Sequence, residues 1–121
     1  MVHMTALLVT LAVTLLPAGR FTAYFTPAFT DAAYQKAAAA KVQKGWKPAA
    51  NAPAGKKTVL IAQIAKDGTL AGLRDHLMTG FKPWDDAAIA AVKGAVPFAP
   101  LPKSWAYPTM EVHFHFEVVA K

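Results

Sequence analysis

The last stretch of the chain, residues 110–118, alternates apolar and polar side chains without a break. Apolar positions fall on one face of an extended chain and polar positions on the other, a period of two that indicates a half-buried strand. Such a strand needs other elements to cover its apolar face, so we expect the rest of the chain to supply that cover. The apolar positions are Val112, Phe114, Phe116 and Val118.

Length and composition limit the fold to one domain. The chain has 121 residues, of which 55% are hydrophobic, enough for a single packed core. Thirteen Lys and Arg against seven Asp and Glu give a formal net charge of +6, which favours anionic partners. The absence of cysteine excludes a disulfide framework and a thiolate metal site.

The N-terminal region indicates export. Residues 5–16 are apolar apart from their threonines, but this run is shorter than the roughly 20 residues that a membrane span requires. We therefore expect residues 1–19 to form a cleaved signal peptide or a short membrane anchor, with a buried structural segment as a third alternative. Candidate cleavage sites are Ala18, Gly19 and Ala28. Residues 20–30, rich in Phe, Thr and Pro, are expected to be a tether.

A first helix is predicted from Ala32 to about Trp46. Asp31 can cap its start, Gly45 weakens its end and Pro48 stops it. One stripe of the helix is apolar, and the lysines lie on the opposite arc, which indicates a buried face and a solvated face. The expected buried stripe is Tyr34, Ala38, Val42 and Trp46.

The middle of the chain carries the signature of a β-hairpin. Residues 58–65 are rich in β-branched side chains, and Asp67-Gly68 is a dipeptide typical of tight hairpin turns. The returning strand is predicted over residues 70–78, with a bulge near Gly72. That bulge would allow three unevenly spaced leucines to enter the core: Leu70, Leu73 and Leu77.

A second helix is predicted over residues 86–95 with Asp85 as its cap, because acidic residues stabilise a helix N-terminus. The prolines of residues 97–102 then prevent the helix from continuing. This segment is expected to be an extended connector, attached to the domain by Phe98 and Leu101.

The predicted order is helix, strand, strand, helix, strand, which makes the domain α+β. The hairpin makes its two strands antiparallel, and the last strand can lie antiparallel beside the first. We therefore predict a three-stranded antiparallel sheet in the order 2-1-3. Both helices should cover one face, since the last strand has a polar side, and the last strand should form an edge of the sheet.

Four fragments in this order resemble the C-terminal domain of the bacterial energy transducers TonB and TolA, and TonB more closely. The resemblance covers residues 31–119, nearly all of the chain after the leader. The fragments are Tyr34 with Trp46-Lys47-Pro48 twelve residues later, Ile64-Ala65-Lys66-Asp67-Gly68, Trp84-Asp85-Asp86-Ala87-Ala88-Ile89-Ala90-Ala91-Val92, and Pro97-Phe98-Ala99-Pro100-Leu101-Pro102.

The resemblance implies a periplasmic domain, in some cases tethered to the inner membrane. It also implies that an extended segment of an outer-membrane receptor or other envelope protein adds as a strand beside the last strand. The implied docking strip is Met110, Glu111, Val112, His113, Phe114, His115 and Phe116. Independently, an exposed strand edge offers unpaired backbone groups to a partner or to a second copy, so a homodimer is an alternative.

Other chemistries have less support in the sequence. His113 and His115 share a polar strand face with Glu111 and Glu117, which permits a hypothesis of metal binding, although a solvated face is the simpler interpretation. The chain has one serine, Ser104, and no motif of a catalytic or phosphate-binding site. We therefore predict no enzyme activity, no cofactor and no nucleic-acid partner. Two functions stay open: a peptide-binding adaptor, and a structural subunit paired through its edge.

Overall fold

The computed structural model describes residues 18–119, and the predictions for residues 1–17 lie outside this range. It contains four strands and two helices. In chain order these elements are β1 (Ala18–Phe25), α1 (Ala32–Gly45), β2 (Lys57–Ala65), β3 (Leu70–Leu77), α2 (Lys82–Ala95) and β4 (Thr109–Val119).

Helix α1 begins and ends close to the predicted positions. Asp31 is its N-cap, and the carboxylate accepts a hydrogen bond from the backbone N–H of Tyr34 at 3.0 Å. Tyr34, Ala38 and Val42 are buried, as the predicted stripe requires, and Trp46 is half-buried just beyond the helix. The lysines of the opposite arc are exposed: Lys36, Lys41, Lys44 and Lys47.

The hairpin forms around Asp67-Gly68 as predicted. Gly68 has a positive φ of 91°, and the Asp67 carboxylate accepts hydrogen bonds from the N–H and the hydroxyl of Thr69. Strand β3 is irregular, with one register shift opposite Gln63/Ile64, close to the predicted bulge, and a second opposite Val59/Leu60. Leu70 and Leu73 pack against the core, whereas the prediction that Leu77 enters the core is wrong, because 45% of it is exposed.

The sheet is antiparallel throughout, in the order β1-β4-β2-β3. The three predicted strands are present, and β2 lies between β3 and β4 as predicted. The prediction of only three strands is wrong, because residues 18–25 form a fourth strand beside β4. Part of this strand falls in the expected tether, and the signal for it was an alternation with period two. Phe21, Ala23 and Phe25 alternate with Arg20, Thr22 and Tyr24.

Both helices pack against one face of the sheet, as predicted. The core between them contains the apolar side of β4 together with residues from β2 and both helices. Phe114 and Phe116 are completely buried there. The other face of the sheet carries no helix in residues 18–119, and we call it the open face. On β4 it presents Glu111, His113, His115 and Glu117.

Helix α2 begins three residues before the predicted cap. Its N-cap is Phe81, with no side-chain cap bond, and Pro83 occupies the first turn, where a missing N–H costs nothing. The connector that follows α2 is attached to the body as predicted. Phe98 and Leu101 are buried, and their N–H groups donate to the hairpin carbonyls of Gly68 (2.8 Å) and Lys66 (2.9 Å).

Candidate functional site

The docking strip, residues 110–116, lies in the first two thirds of β4. Its side chains alternate strictly: Met110, Val112, Phe114 and Phe116 are buried, and Glu111, His113 and His115 are half-buried on the open face. Both sides of the strip are paired within the chain. Strand β2 pairs with residues 109–117 and strand β1 with residues 112–119.

The prediction that β4 forms an edge of the sheet is therefore wrong. Strand β1 pairs with it in an unbroken register from Ala18 opposite Val119 to Phe25 opposite Val112, and Thr26 extends the pairing by donating to the carbonyl of Glu111 at 3.2 Å. Antiparallel partners alternate between hydrogen-bonded and non-hydrogen-bonded pairs. The backbone groups of Glu111, His113 and His115 consequently point toward β1, which occupies the positions where a partner strand was expected.

Aromatic contacts attach β1 to the inner face of the sheet. The Phe21 ring centroid lies 6.0 Å from that of Phe114 and 5.3 Å from that of Phe116. It also lies 6.5 Å from the ring of Trp46, so one β1 side chain bridges the strip and the end of α1. Phe21, Ala23 and Phe25 are nevertheless only half-buried, whereas the strip residues beneath them are fully buried.

On the open face, β1 makes polar contacts with β4. Tyr24 packs edge-on against His115 at a centroid distance of 4.7 Å, and Arg20 forms an ion pair with Glu117 at 3.1 Å. The Arg20–Glu117 pair is solvent-exposed and contributes little stability, because water and salt screen it. Among the side-chain contacts of β1, the inner aromatic ones therefore contribute more than the exposed ion pair.

His113 belongs to a hydrogen-bonded cluster with Glu111 and Gln63 on the open face. Its Nε2 lies 2.7 Å from a Glu111 carboxylate oxygen, and the Gln63 amide donates to the other oxygen at 2.8 Å. These bonds, led by the one with His113, lower the pKa of Glu111. Burial lowers the pKa of the His115 imidazole, and the charge of Lys57 lowers it further. Both effects favour a neutral His115 and an ionised Glu111 at neutral pH.

The structure brings a further histidine to this face, because the ring centroid of His76 on β3 lies 6.5 Å from that of His113. Even so, residues 18–119 contain no group of three or more His, Cys, Asp or Glu side chains that could hold a metal ion. His113 lies within hydrogen-bonding distance of Glu111, and His113 and His115 both lie on the open face.

The prediction from sequence was least accurate for Asp85. It was predicted as a helix cap, yet it lies inside the first turn of α2 with only 6% of its surface exposed. Its Oδ1 accepts hydrogen bonds from the Thr58 hydroxyl (2.7 Å) and from the N–H (3.0 Å) and hydroxyl (2.9 Å) of Thr79, and its Oδ2 accepts from the Gly80 N–H (3.1 Å). Burial alone would raise its pKa, but together these bonds lower it. Asp85 thereby ties α2 to β2.

The chain was also compared with known proteins. A family model described as TonB C terminal matches residues 31–116, most of the chain. No curated protein and no solved structure matched. Neither helix within residues 18–119 has the length and hydropathy needed to cross a membrane. Strand β1 lies before the matched residues, whereas β2, β3, both helices and most of β4 lie within them. The match shows that this chain belongs to the TonB C-terminal family, whose domains have a protein-interaction role in envelope transport.

Proposed function

We propose that this protein is a periplasmic TonB-like adaptor that binds an extended segment of an outer-membrane receptor or another envelope partner. The segment adds as a strand to the docking strip and takes the place of β1. One observation carries the proposal: β1 itself pairs with β4 in unbroken register. An extended peptide with the same alternation can form the same backbone hydrogen bonds.

The backbone part of such an exchange is nearly neutral, because each bond lost by β1 is regained by the partner. The difference in affinity between β1 and a partner segment therefore depends on their side chains. Phe21 contacts the rings of Phe114 and Phe116, so a competing segment needs an apolar, preferably aromatic, residue at the equivalent position. The proposed partner is therefore an extended segment with apolar residues at alternate positions, which cover the inner face.

The point at which the leader is cleaved decides whether β1 is present. Cleavage at Ala18 or Gly19 would leave most of β1 in the mature protein. Cleavage at Ala28 would remove β1 and leave the backbone of the docking strip unpaired on that side. The mass of the mature protein, measured on the periplasmic and membrane fractions, gives the position of its N-terminus. An N-terminus near residue 28 indicates a free docking strip, one near residue 19 indicates a strip covered by β1, and an intact leader indicates a membrane tether.

A structural subunit is the second candidate function. The outer edge of β1 favours it, since no strand pairs with that edge in residues 18–119. An edge strand is a template for permanent association with another chain. In that case the docking strip stays covered by β1 and takes no part in binding.

A reversible cross-link separates the two candidates. Tyr24 and His113 are register partners, and a hydrogen-bonded antiparallel pair has a Cα–Cα distance of about 5.5 Å, which a disulfide spans. The chain has no cysteine, so the double variant Tyr24→Cys, His113→Cys can form one disulfide that locks β1 onto β4. Binding of receptor-derived extended peptides is followed by the NMR shifts of backbone amides 110–118.

The adaptor proposal predicts that the reduced variant binds such peptides and that oxidation abolishes binding until reductant is added. A second variant, Arg20→Cys, Glu117→Cys, places the disulfide four residues further along the two strands and controls for the loss of the Tyr24 and His113 side chains. Equal binding by oxidised and reduced protein would exclude displacement of β1. Wild-type amides that do not respond to any of the peptides would contradict the adaptor function itself.

A further inference from the structure

The outer edge of β1 presents a regular row of backbone groups. Because Thr26 donates to Glu111, the residues of β1 that bond to β4 are Arg20, Thr22 and Tyr24. The N–H and C=O groups of the intervening residues point away from β4. Those residues are Gly19, Phe21, Ala23 and Phe25.

The two edges of the sheet differ in regularity. Strand β3 forms the other edge, and two register shifts interrupt its pairing with β2. Such bulges twist an edge and hinder its pairing with another strand. The pairing of β1 with β4 has no shift over its whole length. Within residues 18–119, β1 is therefore the edge suited to adding a strand.

The sequence of β1 is complementary to itself. If a second β1 runs antiparallel with Thr22 opposite Thr22 of the other copy, the outward backbone groups meet in hydrogen-bonded pairs. On the inner face each phenylalanine then lies opposite a small residue, since Phe21 faces Ala23 and Phe25 faces Gly19. On the open face Arg20 faces Tyr24, and the two threonines face each other.

The pairings on the open face are favourable in a β-sheet. Opposed threonines and an arginine over a tyrosine ring are stabilising cross-strand pairs, and no like charges lie directly opposite each other. The pairing also gives a partner to Tyr24, a large side chain of which 55% is exposed. Its ring already contacts His115 on one side and would receive Arg20 of the second copy on the other.

A groove lies beside this edge. It has a volume of about 420 Å³ and runs between β1 and α1. Its walls are Phe21, Thr22, Ala23 and Phe25 on one side and mostly small or uncharged residues of α1 on the other: Ala32, Gln35, Lys36, Ala39 and Gln43. This space can accept the inner-face side chains of an added strand.

From these observations we propose that a second copy of this chain binds at the outer edge of β1. The two β1 strands pair antiparallel about a two-fold axis at Thr22 and join the two sheets into one, with all helices on the same side. The contact is isologous, because each copy uses the same residues. The proposal does not rest on the adaptor function, since no partner peptide takes part.

Complementary charges at the two-fold axis test the register. Thr22 faces its own copy, so Thr22→Lys and Thr22→Glu each place like charges directly opposite each other and should dissociate the dimer. An equimolar mixture of the two variants should restore a heterodimer through a Lys–Glu pair. The full chain is studied in mild detergent at 150 mM salt, by analytical ultracentrifugation from 5 to 500 μM, with circular dichroism as the control for folding.

Cysteine variants provide a second readout. Thr22→Cys should oxidise to a covalent dimer, because opposed residues of a non-hydrogen-bonded pair lie about 4.5 Å apart. Arg20→Cys should not, because its opposite residue is Tyr24. A monomeric wild-type protein at 500 μM would overturn the proposal. So would a dimer that Thr22→Lys leaves intact, a mixture of the charged variants that stays monomeric, or equal cross-linking at positions 20 and 22.

Discussion

The carbonyl of Gly68 accepts a hydrogen bond from the N–H of Phe98 at 2.8 Å, and a Cβ atom added to Gly68 would overlap the carbonyl oxygen of Phe98. The hairpin turn and the connector after α2 are thus in backbone contact. The glycine is needed for its positive φ and also for the absence of a side chain.

Gly68→Ala should therefore destabilise the protein more than the loss of glycine flexibility explains. Gly55 is the matched control, since it has a φ of 85° and no atom of residues 18–119 lies within 4 Å of an added Cβ. We expect Gly55→Ala to lower the free energy of unfolding by about 1 kcal/mol and Gly68→Ala by about 3 kcal/mol or more. Urea unfolding followed by circular dichroism measures both. Equal losses would show that the connector adapts without cost.

The two tryptophans near the end of β4 differ in their hydrogen bonding. The indole N–H of Trp84 donates to the Phe116 carbonyl at 3.1 Å, whereas that of Trp46 is buried with no partner among residues 18–119. Trp84→Phe should cost about 1–3 kcal/mol beyond the loss of packing, because the carbonyl loses a donor. Trp46→Phe removes an unpaired donor and should cost less. Thermal and urea unfolding of both variants measures the two losses of stability. A larger loss for Trp46→Phe than for Trp84→Phe would contradict the prediction.

Asp85 should make the stability of the fold depend on acidity. Its pKa is lower in the folded protein than the value of about 3.9 in unfolded chains. The folded state therefore binds fewer protons, so the contribution of Asp85 is complete above about pH 5 and is lost as the pH falls through the folded pKa. Unfolding free energies measured between pH 2 and pH 6 should show this decline.

Asp85→Asn should lower the stability at pH 7 by about 2–4 kcal/mol and flatten the decline in acid. The asparagine keeps one acceptor oxygen, but its NH₂ group would oppose either the Gly80 N–H or the donors at Oδ1. Asp86→Asn is the control, because Asp86 is exposed and forms a surface ion pair with Lys82. If Asp85→Asn lost stability between pH 6 and pH 2 as steeply as the wild-type protein, the decline would be due to other carboxylates.

Partner binding and dimerisation should oppose each other. In the proposed dimer both edges of β1 are paired. An isolated two-stranded ribbon is only marginally stable in water, so β1 strands displaced from β4 would also lose their pairing with each other. By thermodynamic linkage, a peptide that displaces β1 then weakens the dimer, and the dimer weakens peptide binding by the same factor.

The apparent peptide affinity of the wild-type protein should accordingly fall as protein concentration rises through the dimer range. Thr22→Lys should bind with an affinity that does not depend on its concentration. Calorimetric titrations at 10 μM and 300 μM protein measure this difference. A constant wild-type affinity across that range would show that the two processes are independent.

Most of the fold was predictable because its signals are local. A helix cap, a turn dipeptide and a helix-stopping proline each affect only the neighbouring residues of the chain. Each has the predicted effect in the structure, at Asp31, at Asp67-Gly68 and at the prolines of residues 97–102. The role of Asp85 was not predictable, because it depends on Thr58, which lies on a distant strand. A carboxylate beside a helix start looks the same in sequence whether it caps the helix or joins it to the sheet.

The sequence predicted which side chains of the docking strip are buried, but it did not predict which strands lie beside the strip. The alternation of β4 correctly assigned Phe114 to the core and His113 to the open face. Whether its edge is open depends on β1, a short strand whose partner lies nearly 100 residues away in the sequence. The alternation in β1 was present, but the apolar run before it and the proline after it favoured the interpretation of a leader and tether.

The contrast between the two sheet edges has a consequence for assembly size. A protein with two competent edges can add copies at both ends and grow without limit, as fibrils do. Here the bulges of β3 leave β1 as the competent edge in the described part of the chain. When two β1 strands have paired, the joined sheet ends in β3 on both sides. Association through strands is then self-terminating at two copies, which gives a chain of high hydrophobic content a defence against polymerisation.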